Sequence, residues 1–180
     1  MQAVPFDLVK SSGVLYSPGI NRSIYTPQFM KSIKGKMEKK YKNMYYESMS
    51  NTGKFIFDYE KLMKASSVSE VEDIYISPIF GFTDHLDYYE KVSCGQFFQR
   101  ICVPVLAINS KDDPFFHPEM KMPKVEPYNP IYFSNPDFGG HCGYMFHEDE
   151  NDGTNHETSF SWVSRELGRF IDHVDVHQNL

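Results

Sequence analysis

The sequence predicts an α/β protein with mainly parallel strands, on three observations. Residues 101–109, ICVPVLAIN, form a nearly unbroken apolar run of β-prone residues, as in a strand covered on both faces. A second such run, PIYFSN at 130–135, follows a polar loop. The closing segment TSFSWVSRELGRFIDHV (158–174) puts Phe160, Val163, Leu167, Phe170, Ile171 and Val174 on one helical face. Strand, loop, strand, loop and helix in that order describe a parallel sheet with a covering helix.

The elements before this core are read in chain order. AVPFDL (3–8) predicts a short buried strand interrupted by Pro5, so about three strands are expected in all. KSSGVLYSPGINRS (10–23) has the Ser, Gly and Pro content of a loop. A helix is expected to open at Thr26 as N-cap with Pro27 in the first helical position, carrying Phe29, Ile33 and Met37 as its apolar stripe. The lysines of KSIKGKMEKKYK (31–42) alternate with that stripe and predict a solvated face. FIFDYEKLMKA (55–65) suggests another helical piece, and Ser67 with Glu70 makes a capping-box pattern opening a short helix. SPIFGFTD (77–84) reads as an aromatic loop and HLDYYEKV (85–92) as a further helix.

With 180 residues, 41% hydrophobic and 16% aromatic, the chain can bury one real core. A net charge of −6 argues against binding a nucleic-acid backbone. No apolar run approaches the roughly 20 residues of a membrane span, and the N-terminus lacks a signal-peptide layout. Cys94, Cys102 and Cys142 are odd in number and lack CxxC spacing, which predicts a reducing, cytoplasmic setting rather than disulfides. Cys102 is expected in a buried strand and Cys142 in a packed position.

Chemistry is expected where the two strands end. NSKDDPF (109–115) places Asp112 and Asp113 after the first strand, and GGHCG (139–143) places His141 after the second. In a parallel sheet both loops lie at the carboxyl edge, where ligands and catalytic groups gather. An acid that orients a histidine is the base half of a hydrolytic triad, and the order Asp113 then His141 agrees with Ser, Asp, His. The glycines free the backbone and keep bulk off the imidazole. The same residues read equally as an ordinary DDP turn and a tight GGH turn with an idle histidine.

Taken together, AVPFDL, IYTPQFMKSI, SSVSEVEDIYISPIFGFTDHLDYYEKVS, ICVPVLAINSKDDPF, NPDFGGHCGYM and SWVSRELGRFI resemble the C-terminal half of the AB hydrolase 4 family of α/β-hydrolases. Its members are abhydrolase-domain esterases and lipases of eukaryotes and bacterial esterase relatives. The pieces occur in family order and cover nearly the whole chain. The resemblance implies a partial α/β-hydrolase domain over 1–180, with 1–20 and 93–180 in the core and 21–92 as a helical cap. It makes Asp113 the triad acid, with Asp112 its variable neighbour, and His141 the general base. It implies serine carboxylic-ester hydrolysis of short- or medium-chain esters, acylglycerols or phospholipids. Phe80, Phe82, Tyr88 and Tyr89 would suit an acyl chain, although cap aromatics are usually packing. Eukaryotic relatives carry a membrane anchor upstream of this domain.

The family's GxSxG nucleophile elbow is absent from the sequence. SSGVL (11–15) and SCGQF (93–97) lack the leading glycine and the strand–turn–helix setting. This chain alone is therefore expected to be inactive. Two readings follow: it supplies the acid and base of a hydrolase, or it is a non-catalytic remnant that pairs through an open sheet edge, for instance with a separately encoded N-terminal half. Cys142 beside His141 is a poor substitute nucleophile, because neighbours on one turn point different ways. In HEDENDGTNHE (147–157), a calcium-loop alignment on Gly153 uses Glu148, Glu150 and Asp152. It then leaves Ser159 at the closing position and no aspartate at the first, so a solvated acidic loop is expected. No cofactor and no metal are expected. His117, His173 and His177 are assigned to the surface.

Overall fold

Short acceptors set ahead of apolar runs open most of the helices. The computed structural model describes residues 2–51, 57–117, 124–126, 128–144 and 162–178. Asp7 accepts from the Lys10 amide and starts α1, Leu8–Tyr16. Asp58 accepts from the Lys61 amide and starts α3, Tyr59–Lys64, while α2 (Thr26–Asn51) lies between. Ser67 accepts from the Glu70 amide and starts α4, Val68–Val71. Ser77–Phe80 forms α5, closed by Gly81 in the left-handed conformation at φ 78°. Asp84 accepts from the Asp87 amide and starts α6, His85–Val92. Each such acceptor satisfies an amide that the first turn leaves without a partner.

Several expectations change here. AVPFDL is not a regular strand. Only a parallel bridge, Gln2 to Ile108, forms before the chain turns into α1, because Asp7 caps a helix at Leu8. The first half of the expected loop at 10–23 is that helix, which ends at Tyr16. The Ser67–Glu70 box is half made: the Glu70 carboxylate reaches back to the amide of Ser66 rather than that of Ser67. Thr26 is no N-cap. A π-helical turn, Asn21–Tyr25, runs straight into α2, and Thr26 is itself helical with its hydroxyl donating to the Leu15 carbonyl. A second π turn, Glu72–Ile76, enters α5 in the same way.

The two π turns have one cause. Each ends directly before a Thr-Pro or Ser-Pro pair, Thr26-Pro27 and Ser77-Pro78, and the residue before proline bonds five residues back, to Asn21 or to Glu72. Proline within a helix has no amide to donate and its ring crowds the carbonyl four residues earlier. A wider turn relieves that crowding without ending the helix.

By its contacts the chain divides into two units. One holds Asp7–Cys94 and His117, and is helical. Its core is Met30, Phe57, Leu62, Ala65, Val71 and Tyr75, with Ile33 and Met37 packed against it. Met30 therefore takes the place in the stripe assigned to Phe29, which stacks instead on Tyr25 with centroids 6.4 Å apart. The lysine side chains at 31, 36, 39, 40 and 42 are exposed, as a solvated face requires.

The same unit half-buries a carboxylate. Glu72 accepts from the hydroxyl of Tyr89, itself 3% exposed, and burial raises the Glu72 carboxyl above its ordinary 4.5 against the pull of that hydrogen bond. A raised folded value contributes stability below the unfolded value and loses it as pH rises through the folded one. Glu72→Gln keeps an acceptor for Tyr89 and removes the charge. It should raise the thermal midpoint at pH 7 and leave it unchanged near pH 4; an equal gain at both pH values would rule out this cause.

The second unit holds the chain up to Phe6, Gly95–Phe116 and the described residues beyond Lys121. Its strands β1, Val105–Ile108, and β2, Ile131–Ser134, pair in parallel with Leu106 opposite Tyr132 and Ala107 opposite Phe133. With the Gln2 bridge on the other side of β1, the order is N-terminal segment, β1, β2. One face carries Leu106, Ile108 and Tyr132 against Trp162, Val163 and Phe170 of α7, Trp162–Gln178. The other carries Phe133 into a cluster with Phe6 and Phe98. A strand covered on both faces is what the apolar run at 101–109 requires.

Candidate active site

Pairing continues past both strands and delivers two loops to one edge. The Asn109 amide donates to Ser134 and the Lys111 amide to Pro136, so the chains leave the sheet side by side. The first loop then turns at Asp112 and Asp113, and the second at Gly139 and Gly140.

Asp113 and His141 meet there. The Asp113 Oδ2 lies 2.9 Å from His141 Nδ1, and Oδ1 of the same carboxylate accepts from the Phe115 amide at 2.8 Å. The Asp113 side chain is 3% exposed and that of His141 45%, so the acid is shielded while the ring stays open to solvent. The Phe115 ring stands edge-on to the imidazole, centroids 4.8 Å apart. A buried carboxylate on Nδ1 selects the tautomer with the proton there, leaving Nε2 as the basic nitrogen.

Three residues outside the expected pair shape the histidine turn. Ser110, 1% exposed, gives its amide to the Tyr144 hydroxyl at 3.0 Å and its hydroxyl to the Gly140 carbonyl at 2.5 Å. Asp112 Oδ1 accepts from the Gly140 amide at 2.8 Å. That bond, first of all, holds the exposed Asp112 carboxyl below its ordinary value. Tyr144 is buried, stacks on Trp162 at 5.5 Å and lies against Gly139. Sequence reasoning treats Asp112 only as a neighbour and gives Ser110 and Tyr144 no role, although both lie in the stretches NSKDDPF and NPDFGGHCGYM.

The cysteines differ from expectation. Cys102 and Cys142 are exposed, because Cys102 precedes β1 rather than lying in it and Cys142 follows His141 around an open turn. His173 is exposed and its Nε2 lies 3.3 Å from the Tyr132 hydroxyl. The acidic run at 147–157 and Ser159 lie outside the described residues. Among the described residues no group of three His, Cys, Asp or Glu is placed to hold a metal, and no helix is long and apolar enough to cross a membrane.

Over 131 residues the chain is 30% identical to the medium-chain fatty acid ethyl ester synthase/esterase 2 of Saccharomyces cerevisiae, covering 71% of this chain and 27% of that protein. It is 32% identical over 91 residues to human monoacylglycerol lipase ABHD2, covering 49% of this chain and 21% of the lipase. The chain belongs to the α/β-hydrolases. The Escherichia coli protein YheT matches the chain at 33% identity over 86 residues, 47% of this chain and 25% of its own. The chain thus spans about a quarter of the length of the curated relatives it matches. No family model matches the chain, and no solved structure matches it significantly.

Proposed function

We propose that this chain supplies the acid and base of a serine carboxylic-ester hydrolase acting on short- or medium-chain esters or acylglycerols, with the nucleophile provided by residues outside the given sequence. The contact of Asp113 with His141 at 2.9 Å carries the reading. In it, His141 Nε2 takes the proton of the serine hydroxyl as the oxygen attacks the ester carbonyl, and returns it to the leaving alcohol. Asp113 holds the Nδ1 proton and stabilises the imidazolium that forms. Water, deprotonated by the same nitrogen, then releases the acid from the acyl-enzyme. The ester class is supported by the names of the yeast and human relatives. The missing elbow is supported by the lack of any GxSxG among the 180 residues.

The test is a chimera in which this chain replaces the stretch of the yeast relative to which it aligns, assayed with p-nitrophenyl butyrate and a monoacylglycerol. Turnover should appear in the chimera, depend on His141, and be absent from the 180-residue chain alone. A folded chimera indifferent to His141→Ala would remove the base assignment. Hydrolysis by the chain alone, abolished by His141→Ala, would place a nucleophile inside it.

A further inference from the structure

We propose that Asp112 and Ser110 are positioning residues that grip Gly140 at both its amide and its carbonyl and thereby fix where the His141 ring meets Asp113; the inference rests on the hydrolase reading of that dyad. Gly140 is the residue through which the chain enters His141, and it follows another glycine. Its φ of +56° lies in the left-handed region, where glycine is held by little of its own. The Gly140 amide donates to Asp112 Oδ1 at 2.8 Å and its carbonyl accepts from the Ser110 hydroxyl at 2.5 Å. Fixing both ends of one residue fixes its φ and ψ together.

The leverage is large. A rotation of about 20° at Gly140 carries a ring nitrogen roughly 5 Å away by more than an ångström, enough to take a hydrogen bond out of range. The bond at stake is the 2.9 Å contact between His141 and Asp113. The grip is also referenced to the core rather than to solvent. Ser110 is fully buried and its amide is tied to the hydroxyl of Tyr144, which is 2% exposed and stacked on Trp162. Asp112 and Asp113, adjacent in sequence, thus divide the work: one carboxylate holds the backbone before the histidine, the other holds its ring. The low Asp112 carboxyl, with the Gly140 amide as its first cause, agrees with a bond made to the ionised form. A comparison is built into the same two loops. Lys111 pairs with Asp137 at 2.7 Å, with both side chains about two-thirds exposed.

Long-range proton–nitrogen NMR at pH 8 on the 15N-labelled 180-residue chain tests this without any turnover. It reports which ring nitrogen of each histidine carries the proton, and His141→Gln assigns the signal. The wild type should show His141 locked with its proton on Nδ1 in slow exchange. Asp112→Ala and Ser110→Ala should lose that lock and give averaged tautomers. Asp112→Asn, whose amide oxygen still accepts from Gly140, should keep it, as should Asp137→Ala. A role confined to stability would lower the melting temperature of the alanine variants and leave the Nδ1 proton in place, and that result overturns the proposal. If Ser110→Ala does not fold, the Asp112 pair of variants still decides. No lock in the wild type removes the dyad and this inference with it. A lock that responds as expected, beside an inactive folded chimera, removes the hydrolase reading and leaves the grip standing.

Discussion

In the assembled hydrolase, replacing both Asp113 and His141 with alanine should cost no more activity than losing His141 alone. On the proposed reading, His141→Ala removes the base and should lower kcat by about 10⁶-fold, and Asp113→Ala by about 10⁴-fold, with the double variant near 10⁶ if the two act as one unit. Asp113→Asn is the more telling change. Oδ1 of Asp113 is committed to the Phe115 amide, so the asparagine oxygen should take that place and turn its NH₂ toward His141 Nδ1. An NH₂ facing Nδ1 demands the acceptor tautomer there, which puts the ring proton on Nε2. A donor at Nε2 cannot accept the serine proton, so the loss should match or exceed that of Asp113→Ala despite a nearly unchanged shape. Steady-state rates of the four variants check this. Costs that add across Asp113 and His141, or an asparagine variant far better than alanine, would show that the carboxylate does not act through the ring.

Gly139→Ala should unfold the histidine turn by overlap, on top of a φ of +159° that an L side chain rarely adopts. A Cβ there would stand 2.5 and 2.7 Å from two ring carbons of Tyr144 and 3.2 Å from Ser110 Cβ. Such crowding is cheap only when the neighbour can move. Tyr144 is 2% exposed, stacked on Trp162, bonded to Ser110 through its hydroxyl, and already at φ 34°. Overpacking of a fixed side chain typically costs about 1–3 kcal/mol, and the upper end applies here. Gly140→Ala meets nothing within 4 Å and should cost about 1 kcal/mol for its left-handed backbone. Trp162 is the sole tryptophan, so its fluorescence during urea unfolding reads this stack directly. Equal midpoints for the two alanine variants would contradict the steric account.

The strands at 105–108 and 131–134, the helix at 85–92 and the closing helix were legible because each is an apolar run or stripe whose period has one good solution. The approach of Asp113 to His141 was legible for a topological reason: two loops after parallel neighbours must leave the same edge. The helix at 8–16 was not, since its Ser, Ser and Gly carry the signature of a loop and only Asp7, capping it, argues otherwise. The π turns were hidden because proline usually marks a helix start, and here it marks a widened turn within one. Ser110 and Asp112 act through backbone groups of Gly140, and no residue pattern encodes a contact to a backbone atom 28 or more positions away.

The hydrogen bonds that carry the pairing beyond the strands make the site a gauge of alignment. Ala107 faces Phe133, and the same registration, continued through Asn109 to Ser134 and Lys111 to Pro136, sets how far each loop extends before it turns. A slip of one residue between the strands would displace one loop by about 3.3 Å along the other and send every side chain to the opposite face. A contact of 2.9 Å has no tolerance for that. A chain with its strands mispaired would therefore lose the approach of Asp113 to His141. On the proposed reading, activity of the assembled enzyme would then double as proofreading of the sheet.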